Sequence, residues 1–395
     1  MLYQKLQSPN IPAYLINVPT KKSGPFVEVA FPAGYFYAPQ GKQEAPHLLE
    51  HYLYRKAFAA GITCSGSIDT KWVTMTAELP MKNFSERLLK FLNIILHDPI
   101  DDEAVFEQEY KILHNELAGI LDDPDKYAYR ASLNERLPDQ PPFTVSLEDF
   151  RAIAIEDVAS YGREHRGGAQ LFIGVHRPTR KFIQELETSL TKVPRLPDRT
   201  ILKPQKLSGQ GQTHIPLKRN LVQLNMSWPS PSSLTDPEEQ IAIVYIIDLL
   251  AKQDLGLVYV EMRDKEGLTY DVDYRVDNYA SFGYCSLNFA VLPENVAKVK
   301  EIVLNQIERI KQGDYPDPLI RKVRRYEMQG VREQWTGNYG RFSWIMTDIL
   351  ERKSVYTLGE WLAAYKKIDK NYLSAFAKTY LAHDKLITVT IGDID

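Results

Sequence analysis

Ala159-Ser-Tyr-Gly-Arg-Glu-His-Arg-Gly-Gly-Ala-Gln-Leu-Phe-Ile-Gly-Val175 and Ser374-Ala-Phe-Ala-Lys-Thr-Tyr-Leu-Ala-His-Asp-Lys-Leu-Ile-Thr-Val-Thr390 follow one pattern, a helix running into a short strand, at a constant offset of 215 (159 against 374). Working outward, Val27–Phe31 and Val222–Met226 both alternate as strands do, and each leads through a proline-containing loop into a helical pattern. Trp72–Pro80 and Tyr284–Pro293 read as a second pair of strands, followed by amphipathic helices over Phe84–Leu96 and Val296–Ile310 and then by helices over Glu103–Leu121 and Pro318–Gln334. Short strands mixed with helices, repeated at half the chain length, predict an α+β fold of two repeated domains, each a largely antiparallel sheet with helices packed on one face. The expected division is an N-terminal domain over 1–195, a linker over 196–218 rich in proline and glycine, and a C-terminal domain over 219–395.

Composition narrows the function. The 395 residues are 44% apolar and 25% charged, which are globular values. Lysine and arginine number 48 against 51 acidic residues, a formal net charge of −3, so no basic stripe argues for nucleic acid and no polybasic segment for a membrane surface. The longest apolar run, Ile241–Ile247, is far short of the ~20 residues that span a bilayer. The opening Met1-Leu-Tyr-Gln-Lys-Leu6 has no apolar stretch of a secretory leader, and Cys64 and Cys285 are too few for a disulfide framework. These readings point to a cytoplasmic protein with two buried or half-buried thiols.

The chemistry lies in His47-Leu-Leu-Glu-His51, the spacing H-x-x-E-H. At ~100° per residue, His47, Glu50 and His51 share a helical arc of about 100°, with Tyr54 beside them and Leu48, Leu49, Tyr52 and Leu53 on the other side. Imidazoles at i and i+4 can reach one tetrahedral Zn²⁺, and a carboxylate between them can take a proton from water at the metal. With eight histidines in the chain, such a match arises by chance on the order of 0.01 times. A third ligand is required, and Glu109 and Glu116, two turns apart on one face of the helix 103–121, are candidates, with His97 and His114 as rivals and Glu103 and Glu107 on other arcs. Opposite His47, Glu50 and His51 the second half places Ala242, Tyr245 and Ile246, so it cannot repeat that chemistry.

His47-Leu-Leu-Glu-His51, with Glu109-x6-Glu116 and Asp122-Asp-Pro124 after it, resembles the pitrilysin-type zinc peptidases, in the short two-domain form of mitochondrial processing peptidase subunits and bacterial relatives. The resemblance covers nearly the whole chain. It implies one Zn²⁺ per chain on His47, His51 and Glu116, with Glu50 as general base and Glu109 supporting a ligand. Arg263-Asp-Lys-Glu-Gly-Leu-Thr-Tyr270 resembles the Arg–Tyr pair with which that family contacts substrate. The expected activity is zinc-dependent endopeptidase cleavage of peptides or unfolded precursor segments, bound as an extended strand near residues 62–70 inside a dimeric chamber. Two departures stand out. The segment after the zinc helix, around Lys56–Gly61, is short for the family, and Cys64-Ser65 stands where the family places an Asn-Ala pair beside the substrate. The implied partners are a peptide and a second chain, identical or related. The competing reading is a non-catalytic partner subunit of a heterodimeric peptidase-like complex; such chains ordinarily have broken metal motifs.

Overall fold

The computed structural model describes residues 2–21, 24–140, 142–143, 146–196, 207–352 and 354–393. Its strands are β1 (Tyr3–Lys5), β2 (Ala13–Asn17), β3 (Phe26–Phe31), β4 (Cys64–Ile68), β5 (Val73–Glu78), β6 (Gln170–Val175), β7 (Gly211–Ile215), β8 (Val222–Ser230), β9 (Asp273–Asn278), β10 (Gly283–Val291) and β11 (Ile387–Ile391). The helices of the first half are α1 (Ala45–Ala59), α2 (Phe84–Leu96), α3 (Glu103–Asp122), α4 (Pro124–Arg136), α5 (Leu147–Arg151), α6 (Ile155–His165) and α7 (Arg180–Leu190). Those of the second are α8 (Pro237–Ala251), α9 (Leu257–Tyr259, continuing into a π-helical turn over Val260–Lys265), α10 (Val296–Gln312), α11 (Asp317–Thr336), α12 (Asn338–Glu351), α13 (Leu358–Lys367) and α14 (Lys370–Tyr380).

Two sheets result, each packed with helices, as the α+β reading expects. Their strand orders are β1-β2-β6-β3-β5-β4 and β7-β11-β8-β10-β9. From β2 and from β7 onward the two orders correspond strand for strand. Each sheet has one parallel pair, β2 with β6 and β7 with β11, and its other pairs are antiparallel. The helix-to-strand pattern quoted first is α6 into β6 and α14 into β11. β7 corrects the linker: part of 196–218 lies outside the described residues, but 211–215 form a strand paired with β11. Its alternating half-buried and exposed residues, Gly-Gln-Thr-His-Ile, carry too few apolar side chains to announce a strand.

The chain divides into two compact units that exchange helical segments. The first comprises Met1–Gly119, Gln140–Leu202 and Gln334–Thr347, and the second Ile120–Asp139, Lys203–Glu333 and Asp348–Asp395. In the second unit α4 packs Ala128 and Ala131 on Ile387, Val389 and Ile391 of β11. Ser132 Oγ and Tyr284 OH lie 2.6 Å apart, and Tyr129 OH donates to Asp277 at 3.0 Å. In the first unit Phe342 of α12 meets Phe26 of β3, ring centroids 5.8 Å apart, and Asn338 bonds both the N–H and the carbonyl of Thr20.

The centre of the first sheet holds an ionisable group. Glu28 on β3 is 3% exposed, faces Thr76 on β5 and Phe172 on β6, and leaves Oε2 without a hydrogen-bond partner. Burial lifts its carboxyl from 4.5 to about 7 against the opposing hydrogen bond from Thr76. The folded state therefore binds the proton more tightly than the unfolded chain. The contribution is complete below pH 4.5 and is lost as the pH rises through about 7. At ~1.4 kcal/mol per tenfold in proton affinity, the loss is about 3 kcal/mol. Urea unfolding of Glu28→Gln beside the parent should show the variant gaining on the parent by about this amount between pH 4.5 and pH 8. A constant difference across that range would contradict the buried acid.

Candidate metal centre

α1 begins at Ala45-Pro46, where a first-turn proline costs no hydrogen bond. Leu48, Leu49, Tyr52 and Leu53 are buried on it, as expected, and so are His47 and Glu50. Tyr52 OH accepts the backbone N–H groups of Asp101 and Asp102, at 3.2 and 3.1 Å, which fixes the entry of α3 beside α1. α3 buries Phe106, Glu109, Leu113 and Leu117, and Glu116 lies at the border of that face with its side chain 46% exposed.

The described residues contain one group of side chains able to hold a metal ion, His47, His51 and Glu116, whose donor atoms all lie within 4.8 Å of one another. Glu116 Oε1 is 3.8 Å from His47 Nε2, and Oε2 is 3.6 Å from His51 Nε2. Tetrahedral Zn²⁺ with bonds of about 2.0–2.1 Å sets its donors roughly 3.4 Å apart, so small side-chain movements suffice. The outer nitrogens are held as ligand histidines require. His47 Nδ1 lies 3.1 Å from Glu44 Oε2 and 3.4 Å from Tyr35 OH, while His51 Nδ1 lies 3.2 Å from Glu109 Oε2. A carboxylate at each Nδ1 keeps the proton there and turns the Nε2 lone pair toward the common point. Glu109, 2% exposed, is itself held by Arg55 Nε at 2.5 Å. The donor set thus fits zinc on observed geometry.

Glu50 stands beside this point, Oε2 3.8 Å from His51 Nε2. Its pKa is raised: burial is the largest cause, the His51 and His47 charges oppose it, and Glu116 and Glu109 add to it. Burial works against a charged His51, but hydrogen bonds to Glu116 and Glu109 and the charge of Glu50 outweigh it, so that ring's pKa is raised. The other candidates lie elsewhere. His97 caps the end of α2, His114 lies with its ring 6.0 Å from that of Phe150, and Glu103 and Glu107 are exposed. In the second half Ala242, Tyr245 and Ile246 are buried on α8.

β4 carries Cys64 and Ser65 and is the terminal strand of the first sheet. Cys64 is half-buried, and burial with the charge of Glu50 pushes its thiol up to about 11, so it stays protonated near neutrality. Ser65 is exposed on the other face of β4. In the second unit the Arg263 guanidinium carbon lies 5.0 Å from the Tyr270 ring centre and 5.3 Å from that of Tyr259, whose hydroxyl accepts from Arg263. Tyr270 is 82% exposed. Two functional candidates escape the sequence reading, Glu44 and Tyr35. Glu44 is fully buried, and the only signal for it is its place three residues before His47.

Known proteins share this architecture. The fold is that of M16-like peptidases. A protease from Helicobacter pylori superimposes with a TM-score of 0.85 at 15% identity, over 98% of this chain and 99% of that one. A chain of Complex III2 from Candida albicans, with Inz-5 bound, gives 0.82 at 12%, over 99% and 95%. A peptidase M16 inactive domain from Pseudomonas fluorescens gives 0.76 at 14%, over 99% and 98%. A sequence profile described as "Peptidase M16 inactive domain" matches residues 177–326, a stretch that includes Arg263 and Tyr270 but none of the metal-site residues. No curated protein matches. Among the described residues no helix is long and apolar enough to cross a membrane.

Proposed function

We propose that this chain is a pitrilysin-type (M16) zinc endopeptidase. The observation that carries the reading is the convergence of His47, His51 and Glu116 with Glu50 alongside, next to a sheet edge that can take a peptide as an added strand. Bound Zn²⁺ supplies Lewis acidity, polarising a carbonyl and acidifying water. The chain's own residues do the rest. His47, His51 and Glu116 hold the ion, and Glu44 and Glu109 hold the imidazoles by their Nδ1 atoms. Glu50, whose Oε2 lies 3.8 Å from His51 Nε2, takes the proton of the attacking water on a carboxylate oxygen and passes it to the departing amide nitrogen. Arg263 and Tyr270 offer a cationic fork and a phenol to peptide carbonyls and to the developing oxyanion. The same reading places the peptide between two chains, identical or related, with the Arg–Tyr pair of one serving the zinc of the other.

The match to an inactive-domain profile favours a second reading, a non-catalytic partner subunit. One experiment separates the two. The purified protein is incubated with a peptide library and the products are read by mass spectrometry, with elemental analysis of the same sample. A peptidase binds one zinc per chain, cleaves, stops on chelation and resumes when zinc is returned. Zinc without cleavage supports the partner subunit, and a chain that takes up no supplied zinc refutes the metal site.

A further inference from the structure

Glu50 does not stand free above the sheet. Its side chain lies against Gly66 on β4: a methyl carbon placed on Gly66 would come within 1.7 Å of Glu50 Oε1, 2.5 Å of Cδ and 2.7 Å of Cγ. Those are the three nearest atoms, so the obstruction is the Glu50 side chain and not backbone. Nor does the backbone call for glycine here. Gly66 pairs with Met75 in regular antiparallel register, and its φ lies outside the range that disfavours L side chains. A glycine inside a strand loses packing and chain entropy, and one with ordinary torsions is explained by what approaches it. Cys64 and Ile68, which share the face of Gly66 two residues to either side, carry side chains; Gly66 alone leaves a gap there.

We propose that Gly66 is a positioning residue for the base, the missing side chain that lets the Glu50 carboxylate rest on the strand whose open edge takes the peptide. The inference rests on the peptidase reading. Its consequence is a fixed relation between base and substrate, because the backbone that would align the peptide is the surface against which the base is seated. An alanine at 66 would displace the carboxylate while leaving His47, His51, Glu116 and the β4 edge in place.

The test is Gly66→Ala in the full chain. Zinc content should remain one per chain and KM should stay within about threefold, while kcat falls at least about 10²-fold, into the range that general-base catalysis contributes. Adding Gly66→Ala to Glu50→Gln should cost nothing more, since both changes remove one function. In chelator-treated protein, Gly66→Ala should lower Tm by about 2–4 °C when Glu50 is present and leave it unchanged or raised in a Glu50→Ala background, where the space is vacant. An active parent with an equally fast Gly66→Ala, losses that multiply, or equal Tm changes in both backgrounds would each overturn the inference and leave the peptidase reading standing. A zinc-loaded parent that cleaves nothing would overturn both.

Discussion

Glu50→Gln should keep one zinc per chain and lose about 10²–10⁴-fold in turnover. The two halves of this expectation have separate physical sources. On the proposed reading the metal donors are His47, His51 and Glu116, and each imidazole has a carboxylate other than Glu50 at its Nδ1, namely Glu44 or Glu109. Replacing Glu50 by its neutral isostere removes none of these contacts and lightens the negative charge around the ion by one. Glutamine has the same length and shape but cannot take up a proton, so the step that fails is proton transfer from water to the leaving nitrogen. Elemental analysis and single-turnover cleavage on one preparation read the two halves independently. A variant that cleaves at near the parental rate would remove Glu50 from the mechanism, and one that loses its zinc would show that Glu50 contributes to the site's integrity.

The largest expected loss of stability comes from Arg136, which is fully buried at the end of α4. Its Nη1 donates to the carbonyls of Ser208, Gly209 and Lys385 at 2.9, 3.0 and 3.1 Å, and Nη2 to the carbonyl of Ser227 at 2.8 Å. Burial brings its pKa down to about 10, which still leaves it charged at neutral pH. One planar cation thus ties the helix to the segment before β7, to strand β8 and to the residues before β11, a task for which a lysine has the charge but not the fork. Arg136→Met fills much of the same volume and leaves four carbonyls to find other donors. At ~1–3 kcal/mol for each buried group left unpaired, partly relieved by water, about 4 kcal/mol should be lost. For a domain of this size that lowers Tm on the order of 10 °C. Calorimetry decides; a fall of only a degree or two would mean that water replaces the guanidinium at little cost.

The architecture was legible because most of its elements carry strong periodicity. The amphipathic pattern gives the bounds of α2, Phe84–Leu96, without error, and α10 overruns its expected end by only two residues. The exchange of α4 was not legible, for a different reason. A run such as Ala128 and Ala131 shows that one helical face is buried, but nothing in the helix's own sequence says against which sheet. At the site, H-x-x-E-H is readable because two candidate ligands and a carboxylate sit on a single helix and their spacing is geometry. Glu116 was one of several carboxylates on α3, and only the resemblance, followed here by its convergence with the two imidazoles, singles it out. Glu44 looks like an ordinary acid at a helix start, and Gly66 like a weak point in a strand. Both take their meaning from neighbours that are distant in sequence or unremarkable until the fold brings them close.

The crossing-over of α4 and of residues 334–347 bears on how the molecule can be taken apart. A gene cut just before Ser208 would yield an N-terminal polypeptide lacking the stretch around Phe342 that its own core uses, and carrying Arg136 with none of these carbonyl acceptors. The C-terminal polypeptide would have the reverse defects. Neither piece should be soluble when expressed alone, yet the two produced together should reconstitute, each supplying the other's missing part. Two halves that share segments in this way are hard to separate, because losing either would also strip the survivor of part of its interior.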